Sequence, residues 1–108
     1  MPVPTTQTES STQTDSQPKY APLYHVVLLD DDDHTYDYVI EMLTKLFRHP
    51  AEQAYRLACA VDRDGRVIVE TCMLELAELR RDQIQSFGAD WRIPRCKGSM
   101  RAVVEPAG

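Results

Sequence analysis

Residues 24–43 read "YHVVLLDDDDHTYDYVIEML", and the fold turns on them. With Leu23 before it, the run "LYHVVLL" to Leu29 is short, β-branched and apolar and suits a buried strand. Four consecutive aspartates, Asp30 to Asp33, follow; adjacent carboxylates repel one another and resist burial, so the strand has to stop there. Beyond them Thr35 is placed as a helix N-cap and Asp37 favours the positive end of the helix dipole. Val39, Ile40, Leu43, Leu46 and Phe47 then recur at the spacing of one helical face. The stretch is therefore a strand, an acidic turn and an amphipathic helix.

Working outward, Pro50 closes that helix and can sit in the first turn of the next. "AEQAYRLACAV" places Ala51, Ala54, Ala58 and Val61 on one narrow face, small enough for close helix packing. In "DRDGRVIVETC" the Asp64-Gly65 pair signals a turn, and Val67, Ile68 and Val69 signal a strand. A third helix is expected over 73–87, with Met73, Leu76, Ala77, Ile84 and Phe87 inward and Arg80, Arg81 and Asp82 solvated; Gly88 ends it. "ADWRIPRCKGS" reads as an irregular loop, with Trp91, Arg92, Arg95 and Lys97 in it, that covers core or else contacts a partner, and "MRAVVE" as a last strand. The order is β-α-α-β-α-β, an α+β fold with a small three-stranded antiparallel sheet packed against three helices. Residues 1–22, rich in Thr, Ser, Gln and Pro, bury too little apolar surface to repay ordering and are expected to be a disordered extension to a core domain at 23–106.

With 108 residues and a net charge of −5, the chain is sized for one domain and carries the wrong sign for a nucleic-acid partner. It has neither a secretory signal pattern nor an apolar stretch near the ~20 residues that span a bilayer. Three cysteines, Cys59, Cys72 and Cys96, have no CxxC spacing and an odd count, which fits a reducing cytoplasm.

The acidic run invites three chemical readings. As a calcium loop it has Asp30, Asp32 and Glu41 at the first, third and twelfth places, but Thr35 stands where the turn demands glycine. As the acidic pair of a phosphoacceptor receiver domain it lacks the later strands that carry the acceptor Asp and the Lys, and the alternating parallel βα units. As part of a hydrolase it lacks a nucleophile in a Gly-rich elbow. A non-enzymatic domain without metal or cofactor is the expectation.

The same residues carry a family resemblance. "YHVVLLDDDDHTYDYV" aligns without gaps on the pattern Y-x-V-h-L-h-N-D-D-x-T-P-M-E-F-V (h apolar) of the ClpS family, adaptors that hand substrates to the ATP-dependent Clp protease. "EQAYRLACAVDRDGRV" resembles the family's E-x-A-x-x-h-x-x-x-V-H-x-x-G-x-A, and "MLELAELRR" its T-x-E-V-A-E-x-K; together they span about residues 20–105. The resemblance implies binding of the α-amino group and first side chain of N-degron substrates. The amino group would fall to Asp30, Asp31, Asp32 and Asp62, and the side chain to a pocket of Leu29, Tyr36, Val39, Ala58, Val61 and Met100. It implies docking on the N-terminal domain of a ClpA- or ClpC-type unfoldase through Glu75, Glu78 and Arg80, by a monomer that engages neither nucleic acid nor membrane. Three positions depart from the pattern: Asp30 for the family Asn, Asp62 for its His, and Tyr36 for its Met. The alternative they leave open is a Clp-binding regulatory protein of this fold that has lost amino-terminal recognition.

Overall fold

A computed structural model describes residues 21–31, 33–92 and 98–108. Strand β1 (Leu23–Leu29) leads through the acidic turn to α1 (Tyr36–Phe47) and α2 (Ala51–Asp64). Strand β2 (Arg66–Met73), helix α3 (Leu74–Gln85) and strand β3 (Arg101–Pro106) complete the order expected from the sequence. The sheet is antiparallel in the order β2-β1-β3. The expected extension falls almost wholly on residues 1–20, outside the described residues.

Its central position explains why β1 is the most apolar strand. Val26 and Leu28 face the helices, and Val27 is fully buried although it points to the helix-free face. Ile68 and Val103 flank Val27 in register. Arg66, opposite Leu29, also pairs with Glu105, opposite His25, so this ion pair crosses the central strand over Val27. Between Val26 and Val27 the register on β2 jumps from Glu70 to Ile68, which leaves Val69 as a bulge. The bulged residue is buried, and its carbonyl accepts a hydrogen bond from His49 Nε2 at 3.1 Å, tying the α1–α2 connection to the sheet.

Tyr38, Val39, Met42 and Leu43 of α1 and Ala54, Ala58 and Val61 of α2 are buried; Ala51, expected on the same face, is exposed. The small α2 face lets the two helices approach closely, so the N-terminus of α1 lies beside the C-terminal turn of α2.

Helix α3 corrects the sequence reading. Only Ala77 and Ile84 are buried on it, while Met73 and Leu76 are exposed. The inward position between the two is taken by Arg80, expected to be solvated. Its guanidinium donates to Glu70 at 3.0 Å and to the Leu46 carbonyl at 3.1 Å, and lies over the Phe47 ring. A long side chain can bury its stem and still satisfy a charged head from two neighbouring elements, which a hydrophobicity pattern does not register. Among the described residues, no helix is long and apolar enough to cross a membrane.

Candidate functional site

The acidic turn is held at both ends. At its start the Asp30 N–H donates to the Gly65 carbonyl at 3.0 Å, which fixes the end of β1 to the α2–β2 junction. Gly65 caps α2 with φ of 82°, and a Cβ there would meet no neighbour; backbone conformation rather than space calls for glycine. Within the turn, Asp31 Oδ1 accepts from the Asp33 N–H at 3.0 Å and from His34 Nδ1 at 2.7 Å. His34 Nε2 lies 2.8 Å from the Gly98 carbonyl, and the ring sits 4.4 Å from that of Tyr38. Only 3% of the His34 side chain is exposed, so it joins the turn to the segment before β3 from inside the protein.

At its far end the turn becomes α1. Thr35 is the N-cap as expected, its hydroxyl oxygen accepting from the Tyr38 N–H at 3.1 Å. The same hydroxyl and the Thr35 N–H both donate to Asp90 Oδ2, at 2.8 and 2.9 Å. Asp90 is 1% exposed; its other oxygen takes two hydrogen bonds from Arg92, which also reaches Glu41 at 3.2 Å. Burial pushes the Asp90 carboxyl up, but the donors from Thr35 and Arg92 outweigh it and hold the group down at about 2. In the described part of that loop Asp90 and Arg92 brace the helix cap, and Trp91 is 78% exposed. Arg95 and Lys97 lie outside the described residues.

The first residue of α1, Tyr36, donates its hydroxyl to Asp62 Oδ2 in the last turn of α2 at 2.6 Å. This bond, with partial burial, pushes the phenol up to about 12, so it remains a donor throughout the neutral range. The Tyr36 ring meets that of Tyr55 edge-on at 6.2 Å. Beneath it lies a small cavity of about 40 Å³, whose walls include Asp30, Asp31 and Asp62 together with Val39, Ala58, Val61 and Met100. His34, Thr35 and Tyr36 complete the lining. Of the pocket residues named from sequence, Leu29 is not among them; strand alternation turns it to the outer face of the sheet. Asp32 lies outside the described residues. Glu41 on α1, the twelfth place of the calcium-loop reading, is engaged by its helix neighbour Lys45 and by Arg92 of the loop after α3, and no cluster of three potential metal ligands occurs among the described residues.

The β-α-α-β-α-β frame that carries this acidic turn has counterparts among known proteins. The family model described as "ATP-dependent Clp protease adaptor protein ClpS" matches residues 19–92. The chain belongs to the ClpS family. An ATP-dependent Clp protease adapter protein ClpS from Nautilia profundicola is 34% identical over 83 residues, covering 77% of this chain and 80% of that one. The E3 ubiquitin-protein ligase UBR1 of Drosophila melanogaster is 43% identical over 47 residues, 44% of this chain but only 3% of that protein. The structure of Agrobacterium tumefaciens ClpS2 bound to L-phenylalaninamide superposes with a TM-score of 0.69 at 26% identity, covering 80% of this chain and 98% of that chain.

Within the ClpS frame, two of the three departures seen in the sequence meet in space. Tyr36 and Asp62, separated by 26 positions, are each other's hydrogen-bond partner. His34, Asp90 and Arg92 are not singled out for the site by the sequence; Asp90 and Arg92 support the turn from a distant segment, and His34, within the turn, reaches the distant Gly98 carbonyl.

The residues named for docking divide. Glu75 and Glu78 are exposed on the first turns of α3, whereas Arg80 is turned inward on Glu70 and Leu46. Beside Glu75, the side chains of Leu23, Met73, Leu76 and Leu79 line an open apolar groove with a volume of about 600 Å³.

Proposed function

We propose that this chain is an adaptor of the ATP-dependent Clp protease that binds the α-amino group and first side chain of substrate proteins. The observation that carries the reading is one cavity lined by Asp30, Asp31 and Asp62 on its polar side and by Val39, Ala58, Val61 and Met100 on its apolar side. Near neutral pH a free α-amine is largely an ammonium, a cation with three donors, and carboxylates are its strongest acceptors. The ligand in the Agrobacterium relative's title, L-phenylalaninamide, combines a free α-amine with an apolar side chain. In this reading Asp30, Asp31, Asp32 and Asp62 serve the ammonium, and the apolar walls receive the first side chain. No step of catalysis is involved, and the setting is the cytoplasm.

Delivery requires a second contact, with the N-terminal domain of a ClpA- or ClpC-type unfoldase. We assign it to Glu75 and Glu78 beside the apolar groove, with Arg80 acting by anchoring α3 rather than by contact. Charge reversal at both glutamates is expected to weaken binding of that domain by at least about tenfold while leaving the melting temperature unchanged. Unaltered affinity would remove the assignment.

A regulatory protein of the same fold without amino-terminal recognition is the second reading, and the cavity's small size favours it. A panel of otherwise identical peptides beginning with Ala, Leu, Phe, Trp or Arg separates the two. The adaptor reading expects affinities that spread over at least about tenfold with the first residue. Equal affinity across the panel, or none, would leave the regulatory reading standing.

A further inference from the structure

We infer that His34 is a positioning residue of the amino-group site: it holds Asp31 by one carboxylate oxygen and so leaves the other for the ligand's ammonium. The inference rests on the amino-terminal reading above and adds how one acceptor of that site is oriented.

An aspartate on an exposed turn ordinarily samples several side-chain rotamers. Asp31 is held instead. Its Oδ1 accepts from the Asp33 N–H at 3.0 Å and from His34 Nδ1 at 2.7 Å, while its Oδ2 takes no protein hydrogen bond among the described residues. Two donors on one oxygen fix the rotation of the carboxylate and leave the second oxygen with its acceptor capacity intact. Asp31 lines the cavity and keeps 32% of its side chain exposed, so a cation entering there can reach it.

His34 is in turn held from its other side. Its Nε2 lies 2.8 Å from the Gly98 carbonyl, and its ring lies 4.4 Å from that of Tyr38, a buried residue of α1. A backbone carbonyl and an ionised carboxylate can only accept, so the two partners assign a proton to each ring nitrogen. The ring is then an imidazolium, and the 2.7 Å contact with Asp31 has the length of a charge-assisted bond. Gly98 stands two residues before Met100, which lines the same cavity. One side chain therefore joins the polar wall of the site to the segment that leads into its apolar wall. The ClpS pattern has Thr at this place, which is too short to reach both partners. An acceptor that is ordered before the ligand arrives spares the cost of ordering it on binding.

The test is isothermal titration of the full chain, as wild type, His34→Asn and His34→Gln, with peptides beginning with Ala or Phe, each free and acetylated. A melting curve is recorded for each form. Asparagine places its amide nitrogen where Nδ1 stands and can still donate to Asp31; glutamine places its own where Nε2 stands and can donate only to Gly98. His34→Asn is expected to keep affinity for the free peptides within about twofold of wild type, and His34→Gln to lose roughly 3- to 10-fold, the usual cost of ordering one side chain on binding. Both variants should melt at similarly lowered temperatures, since each gives up one of the two bonds. If amine-dependent binding is present and the two variants lose affinity alike, or neither loses any, the positioning role is overturned and amino-terminal recognition stands. Should a variant not fold, the ring-nitrogen resonances of the wild-type chain decide. The free peptide is expected to shift Nδ1 and leave Nε2 in place, and an unmoved Nδ1 overturns the role. If wild type binds the free peptides no better than their acetylated twins, recognition itself is overturned and the role of His34 falls with it.

Discussion

Replacing Asp90 with alanine is expected to lower the unfolding free energy by about 3 kcal/mol at pH 7. The carboxylate is buried and accepts from Thr35 twice and from Arg92 twice. Without it the N-cap residue of α1 loses its brace, and the Arg92 guanidinium is left with Glu41 and the Trp91 ring among the described residues. Removing one partner from such a network costs far more than the network's net contribution, because the other members stay buried and unmatched. The pH dependence identifies the charge as the cause. An aspartate in the unfolded chain titrates near 3.9, while the folded group is held at about 2. The contribution is therefore complete above about pH 4 and is lost as pH falls through about 2. Urea unfolding of wild type and Asp90→Asn should show a gap that narrows over that interval; a gap independent of pH would assign the effect to packing alone.

Residues 24–43 made most of the fold legible because three signals agree there: a β-branched run, a charge block that ends it, and a capped amphipathic helix. Where the structure departs from expectation, a single side chain overrides a pattern. Arg80 occupies an inward position on α3 because Glu70, Leu46 and Phe47 satisfy its head and stem. Met73 and Leu76, which a helical count turns inward, line an open groove instead. At the site, the two arms of the acidic cavity were readable through family resemblance. The residues that hold it in shape were not, since Asp90 meets Thr35 across 55 positions and His34 meets Gly98 across 64. Such pairings leave no periodic trace in a single sequence. The Tyr36–Asp62 bond is of the same kind: each residue looks like an isolated departure until the helices bring them together.

The second large effect expected is the loss of binding on acetylation of a ligand's amino terminus. Three carboxylates share the cavity wall, and like charges so placed are costly unless a cation enters among them. An α-ammonium supplies the charge and the donors together. An acetylated terminus supplies no charge and one amide N–H, so it displaces water from the carboxylates without replacing what they lose. The expected penalty is at least about 100-fold in Kd, or roughly 2.7 kcal/mol. It should shrink as pH rises past ~8, where the free amine itself loses its proton.

The most direct measurement is calorimetric titration, at pH 7, of the full chain with the tightest-binding peptide of the first-residue panel, free and acetylated. Recognition of an α-amino group by the acidic turn predicts saturable binding of the free peptide and a Kd at least about 100-fold weaker for its acetylated twin. Equal affinities for the two would contradict it.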